Sequence, residues 1–417
     1  MTGLRPGPSA PLPRTLRRAL GGGLLMGVAL GVGTESGPVI ADAVGASGFV
    51  ARLIPAAAVS ALAVPLVVLA LRRRGGSLRD LGFGGTGANL RALLIGVGVT
   101  GAAAALVLGT GTAAGLLHWS RPDLGTLAGY VVANGVVALL LEALPEETTL
   151  RGYVWTALRE RFGGAASALG TTAVFLVVPG VSTLAGAATA RLLGREAGPV
   201  GAAPGGQDPV GYLVLLTVFG LMLVTARTAV RRAPLCVSIG AHLTFLTVNR
   251  VVYEGDRRGA GWHADVSSPD VELLVPAYLL VATAGFAVWR LAERLVARRR
   301  GGPSGESFGQ CGSAEAGSPD RSWTAGPAVA HHGGQSGSAS PGTPRRFRPT
   351  PGRERPLDPL SASAETPGGT PAGAPVETSA AALDRLPDPP VHRGGRDHRR
   401  RGDGDEHRLP SRRGRRT

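Results

Sequence analysis

Apolar positions in the first 300 residues fall in near-continuous runs of Ala, Val, Leu and Gly, separated by short polar junctions that carry arginines. They follow neither the alternation of a half-buried strand nor the stripe of a surface helix. A helix needs about 20 apolar residues to cross ~30 Å of hydrocarbon, so the runs predict membrane spans. Eight are expected: about 19–33 (extended weakly to 44), 49–71, 90–117, 127–144, 166–188, 210–226, 235–252 and 271–289. The first follows Arg5, Arg14, Arg17 and Arg18 and has the outline of a signal peptide. No clear cleavage site follows it, so it is counted as a span. Proline suits the first turn of a helix, so the fourth span is expected to break at Pro145, with a partly interfacial helix beginning at Glu146.

The junction charges test this division. Arg72–Arg74, Arg227, Arg231, Arg232 and Arg298–Arg300 fall on one side if the spans alternate, together with segments 1–18 and 145–163. Loops on the other side lean acidic, with Glu254, Asp256, Asp265 and Asp270 in the last. The positive-inside rule then puts both termini in the cytoplasm. The expected fold class is all-α, a polytopic membrane bundle of about eight helices with a disordered C-terminal tail. Its expected division is a cytoplasmic segment 1–18, a membrane domain 19–297 and a tail 298–417.

Composition changes this picture in two places. The chain carries a net charge of +15, and all 44 of its basic residues are arginine. With the Ala, Gly and Pro richness this points to a G+C-biased gene, and a bacterial cell membrane is the expected location. The last ~115 residues are Gly, Pro, Ser and Arg, with too little apolar area to offset ordering entropy. Their arginines suit contact with anionic lipid. No aromatic residues interleave with them, so nucleic acid is not an expected partner. Translation past a frameshift is a third origin for the tail. Cys236 and Cys311 have no metal-type spacing and imply no disulfide framework.

Candidate chemistry lies in Leu144-Pro-Glu-Glu-Thr-Thr-Leu-Arg151-Gly-Tyr-Val-Trp-Thr-Ala-Leu-Arg-Glu-Arg-Phe-Gly163. Carboxylates at or near membrane depth are costly to desolvate and are functional candidates by default. Glu147 and Arg151 are spaced i, i+4 and can pair. Glu146 points about 100° away and is the freer of the two to act as a base. The bland alternative is an interfacial helix whose charges are simply solvated.

The Glu-Glu-x-x-x-Arg-Gly-Tyr stretch, with Ala-Leu-Arg-x-Arg-Phe-Gly after it, resembles the first motif of the CPBP intramembrane proteases. That family includes CAAX prenyl endopeptidases and bacteriocin-immunity (Abi) proteins. The resemblance implies peptide-bond hydrolysis by a water that the first-motif Glu and a second-motif His activate. A third-motif His and an Asn or Asp one turn on polarise the scissile carbonyl. Carried onto this chain, Glu146 is the base and Glu147 with Arg151 orients the site.

The second motif, Phe-x-x-x-His, reads Phe175-Leu-Val-Val-Pro179 here, so its His is missing. The third reads His242-Leu-Thr-Phe-Leu246. It keeps its His but not the partner, for which Asn249 at i+7 is the stand-in. His118 is expected on the wrong side of the membrane to substitute.

The site set is therefore Glu146, Glu147, Arg151, His242 and Asn249. The sequence requires no cofactor, and family precedent leaves a divalent metal open. The expected partners are the bilayer and a peptide or membrane-protein substrate. Reduced activity, an inactive homologue acting in interaction or immunity, and a small transporter stand as alternatives.

Overall fold

The computed structural model describes residues 12–203, 208–267 and 269–300. The Arg-rich tail and its expected lipid contacts lie outside the described residues. The main helices are α1 (Leu12–Ala43), α2 (Gly48–Arg72), the short α3 (Leu78–Leu81), α4 (Thr86–Ala113) and α5 (Leu124–Arg159). They continue with α6 (Gly164–Leu192), α7 (Pro209–Arg227), α8 (Pro234–Val252) and α9 (Leu274–Arg300). Among the described residues eight helices are long and apolar enough to cross a membrane.

The exterior is apolar, as a lipid solvent requires, and the largely apolar interior also buries charged side chains such as Glu142, Glu147, Arg151 and Arg250. On α1, Leu20, Leu24 and Val28 are exposed at four-residue spacing. On the adjoining face of that helix Gly23, Gly27 and Gly31 lie against Val174, Val181 and the Ser182 carbonyl of α6, where a Cβ would not fit. Small residues at this spacing let two backbones approach where apolar side chains gain nothing by leaving lipid. The same device joins α4 to α8, with Gly96 against the Val237 carbonyl and Gly240 against the Leu93 carbonyl.

One end of the bundle is tied by arginine. Arg18 pairs with Glu160, and the buried Arg227 donates to the Leu81 carbonyl at 2.8 Å. The other end carries an element that the all-α expectation missed. Strands β1 (Leu117–Trp119) and β2 (Ala264–Val266) pair antiparallel, with Leu117 opposite Val266 and Trp119 opposite Ala264. Trp119 stacks on Trp262 at 4.5 Å between centroids. Asp123 caps α5 there, accepting from the Gly125 and Thr126 amides.

Candidate active site

The expected break at Pro145 does not occur. Helix α5 runs through it, because residues 139–143 and 147–154 widen into π-helical turns on either side. Proline in a regular helix removes a hydrogen bond and crowds the carbonyl four residues back; wider turns relieve both effects. Nor is this stretch interfacial. Glu147 and Arg151 are 0 % exposed and Glu146 is 5 % exposed, so the solvated-helix alternative fails. π turns of this kind collect at functional sites.

Glu147 is the centre of a buried cluster. Arg151 donates to its Oε1 at 3.2 Å, and His242 Nδ1 lies 3.0 Å from the same oxygen. His242 comes from α8, 95 residues further along the chain than Glu147. An ionised carboxylate only accepts, so the proton in this contact sits on Nδ1, which fixes the tautomer of a neutral imidazole. The Arg151 guanidinium lies over the Phe175 ring, 4.5 Å from its centroid. Phe219 meets the imidazole edge-on at 4.9 Å.

Glu146 faces the other way, into a cavity of about 40 Å³ that His242 also borders. Its carboxylate has no partner among the described residues. Two further polar residues line the cavity, and neither was singled out from sequence. Glu142, one turn before Glu146, closes an apolar run and looks like the end of a span. Its Oε1 accepts from Arg250 at 2.5 Å, and Arg250 also donates to Asn134 Oδ1 at 3.2 Å. Tyr212, in the first turn of α7, adds a hydroxyl. The four-residue spacing from Glu142 to Glu146 was the available signal for the first; Tyr212 left none.

Residues 128–248, from early in α5 to late in α8, match the family model of the Rce1-like type II CAAX prenyl endopeptidases. That stretch is similar to the family over those residues. The match contains Glu142, Glu146, Glu147, Arg151, Tyr212 and His242, and it is the kinship that the Glu-Glu motif implied. No curated protein and no solved structure matches the chain. Its eight apolar helices, together with the family match, mark the chain as a multi-pass membrane protein.

Against the pattern of the CAAX endopeptidases, the departures fall on the cavity itself. Phe175, Pro179 and Leu246 all line it, so Pro179 and Leu246 stand where the family pattern carries polar side chains. Asn249 is not among the lining residues. Its Nδ2 donates to the Phe245 carbonyl at 2.9 Å and to the Tyr278 hydroxyl at 2.8 Å, which ties α8 to α9. A residue at i+7 shares a helical face but lies about 10 Å further along the axis, beyond this cavity. His118 is exposed in β1 and takes no part. No three His, Cys, Asp or Glu side chains among the described residues are arranged to hold a metal ion. The donor set therefore does not fit a resident divalent metal.

Proposed function

We propose that the chain is an intramembrane endopeptidase that hydrolyses a peptide bond in a membrane-associated substrate, with Glu146 as the general base. The observation that carries this is the convergence of Glu146 and His242 on one cavity, with Glu146 unpartnered and free to take a proton. Glu146 removes a proton from water as the water oxygen bonds to the scissile carbonyl carbon. Tyr212 donates to the carbonyl oxygen as charge develops there. Collapse breaks the C–N bond, and Glu146 returns its proton to the leaving nitrogen. Glu147 and Arg151 are positioning residues: they fix the tautomer and direction of His242.

The missing second-motif imidazole weakens this apparatus. A positioned acid–base group contributes roughly 10²–10⁴-fold, so turnover is slow by that order. The bacterial plasma membrane with both termini cytoplasmic, and anionic lipid at the tail, complete the proposed setting. Pro179 and Leu246 in the cavity wall favour a second reading, an inactive homologue that binds a partner in interaction or immunity.

Purified full-length protein in lipid nanodiscs, given prenylated and unprenylated peptides, separates the two. Hydrolysis by wild type, lost in Glu146→Gln and raised in Pro179→His, is the expected result. Identical zero turnover in all three, with a cellular phenotype that survives Glu146→Gln and His242→Ala, sinks the protease reading and favours binding.

A further inference from the structure

The space beside Glu146 admits water and little else. At about 40 Å³ it has room for a few water molecules, since one needs roughly 10–15 Å³ measured this way. Apart from Glu142, Glu146, Tyr212 and His242, every residue lining it is apolar. A buried water needs two to four polar partners, so its partners must come from these four. Nδ1 of His242 is committed to Glu147, which leaves its Nε2 as an acceptor. Tyr212 brings a hydroxyl that can donate, and Glu146 brings one carboxylate. A water that gives one hydrogen to Glu146 has two acceptors on offer for the other, Nε2 of His242 and the Glu142 carboxylate.

Glu142 is built to take it. It is 3 % exposed, on the same helix as Glu146 and four residues before it, so both carboxylates project to one side. Arg250 donates to its Oε1, and no further hydrogen bond reaches Glu142 among the described residues. Arg250 is itself braced by Asn134. The carboxylate is thus fixed in direction and still has an oxygen to offer.

We infer that Glu142 is the second acceptor for the cavity water, which donates one hydrogen to Glu146 and the other to Glu142. The catalytic consequence rests on the hydrolytic reading above. With both hydrogens directed, a lone pair of the water faces the open side of the cavity, where a carbonyl carbon would arrive. The hydrogen given to Glu146 becomes the proton that later moves to the leaving nitrogen. The hydrogen directed at Glu142 stays on oxygen and leaves with the new carboxyl group, which loses it to solvent. Glu142 is unchanged at the end, and atoms and charge balance as peptide plus water giving acid plus amine.

Glu142→Gln isolates this role from a purely structural one. Its amide oxygen still accepts from Arg250, but the counter-charge is lost, so a monodisperse size-exclusion peak must first show that the variant folds. The free oxygen becomes an NH₂, which donates and cannot accept. The first measurement is a structure of the full chain in nanodiscs at a resolution that shows ordered water. A water within about 2.6–3.2 Å of both carboxylates, absent or bound to Glu146 alone in Glu142→Gln, is expected. No water, one on Glu146 alone, or one shared between Glu146 and His242 Nε2 in the wild type overturns the inference. The second measurement is peptide turnover, expected to fall at least tenfold in Glu142→Gln with KM little changed. Full turnover in Glu142→Gln beside an inactive Glu146→Gln overturns Glu142's part and leaves the protease reading standing. A bridging water in a wild type without turnover does the reverse.

Discussion

Glu147 and Arg151 offer a test of burial in which the two outcomes differ by an order of magnitude. A solvated i, i+4 pair on an interfacial helix stabilises by about 0.3–0.5 kcal/mol. Both residues are instead 0 % exposed, and removing one partner of a buried pair costs about 3–5 kcal/mol because the other charge is stranded. The two single substitutions are not equivalent. In Arg151→Met, Glu147 keeps its hydrogen bond from His242 at 3.0 Å. In Glu147→Gln, Arg151 keeps an amide oxygen and the Phe175 face, the latter worth roughly 0.5–2 kcal/mol, but no counter-charge. Glu147→Gln is therefore expected to be the more damaging, by at least 1 kcal/mol, or about fivefold in the unfolding constant on the scale of 1.4 kcal/mol per tenfold. The double substitution strands no charge and is expected to be less destabilised than Glu147→Gln alone. Reversible unfolding by steric trapping in bicelles measures all four proteins. Two single costs below about 0.5 kcal/mol, or a double cost equal to their sum, would refute the buried, coupled pair.

Tyr212→Phe removes only the hydroxyl facing the cavity; kcat for peptide hydrolysis is expected to drop roughly 10²–10³-fold while KM changes little. Unchanged kcat would remove Tyr212 from the chemistry. Gly240→Leu forces a side chain into the Leu93 carbonyl and is expected to abolish the monodisperse peak in size exclusion, whereas Gly98→Leu, with nothing within 4 Å of its Cβ, is expected to keep it. The Thr126 hydroxyl, and then the Thr126 and Gly125 amides, hold the Asp123 carboxyl below its ordinary value of 3.8. A depressed carboxyl stabilises above its unfolded pKa and loses that contribution as pH falls through the folded value. Amide exchange at Gly125 and Thr126 should thus keep its protection down to about pH 4, with reference to the ordinary Asp pKa, and lose it below; Asp123→Ala should lack it at every pH.

The span positions were legible because apolar length is a direct physical requirement of the bilayer, and each expected run lies largely within a helix. The buried polar groups were legible only in part. Glu146, Glu147 and Arg151 stood out as adjacent charges after an apolar run, and His242 as a lone imidazole inside one. Pro145 misled because proline argues for a break when regular α-helical geometry is assumed, and sequence gives no sign that neighbouring turns will widen. That assumption put Glu142 at the end of a span and made Glu146 interfacial. Asn249 misled differently: a shared face was mistaken for a shared depth. The β1–β2 pairing joins two three-residue strands about 150 residues apart, which no local pattern announces.

The charges in the bundle differ in what they say about function. Glu147 with Arg151 and His242, and Glu142 with Arg250, are partnered, and such pairs persist for a plain reason: losing one member strands the other. Their presence is compatible with an enzyme or with a homologue that only binds. Glu146 is different. It is 5 % exposed, has no hydrogen bond or ion pair to a side chain among the described residues, and sits in a mostly apolar cavity, so no packing contact holds a carboxyl there. A buried polar group without a hydrogen bond costs about 1–3 kcal/mol by mutational measures, and more when charged. Glu146→Met should therefore stabilise the fold while ending hydrolysis. If instead it destabilises the bundle as Glu147→Gln does, Glu146 has a structural partner, and the strongest ground for reading the cavity as catalytic is gone.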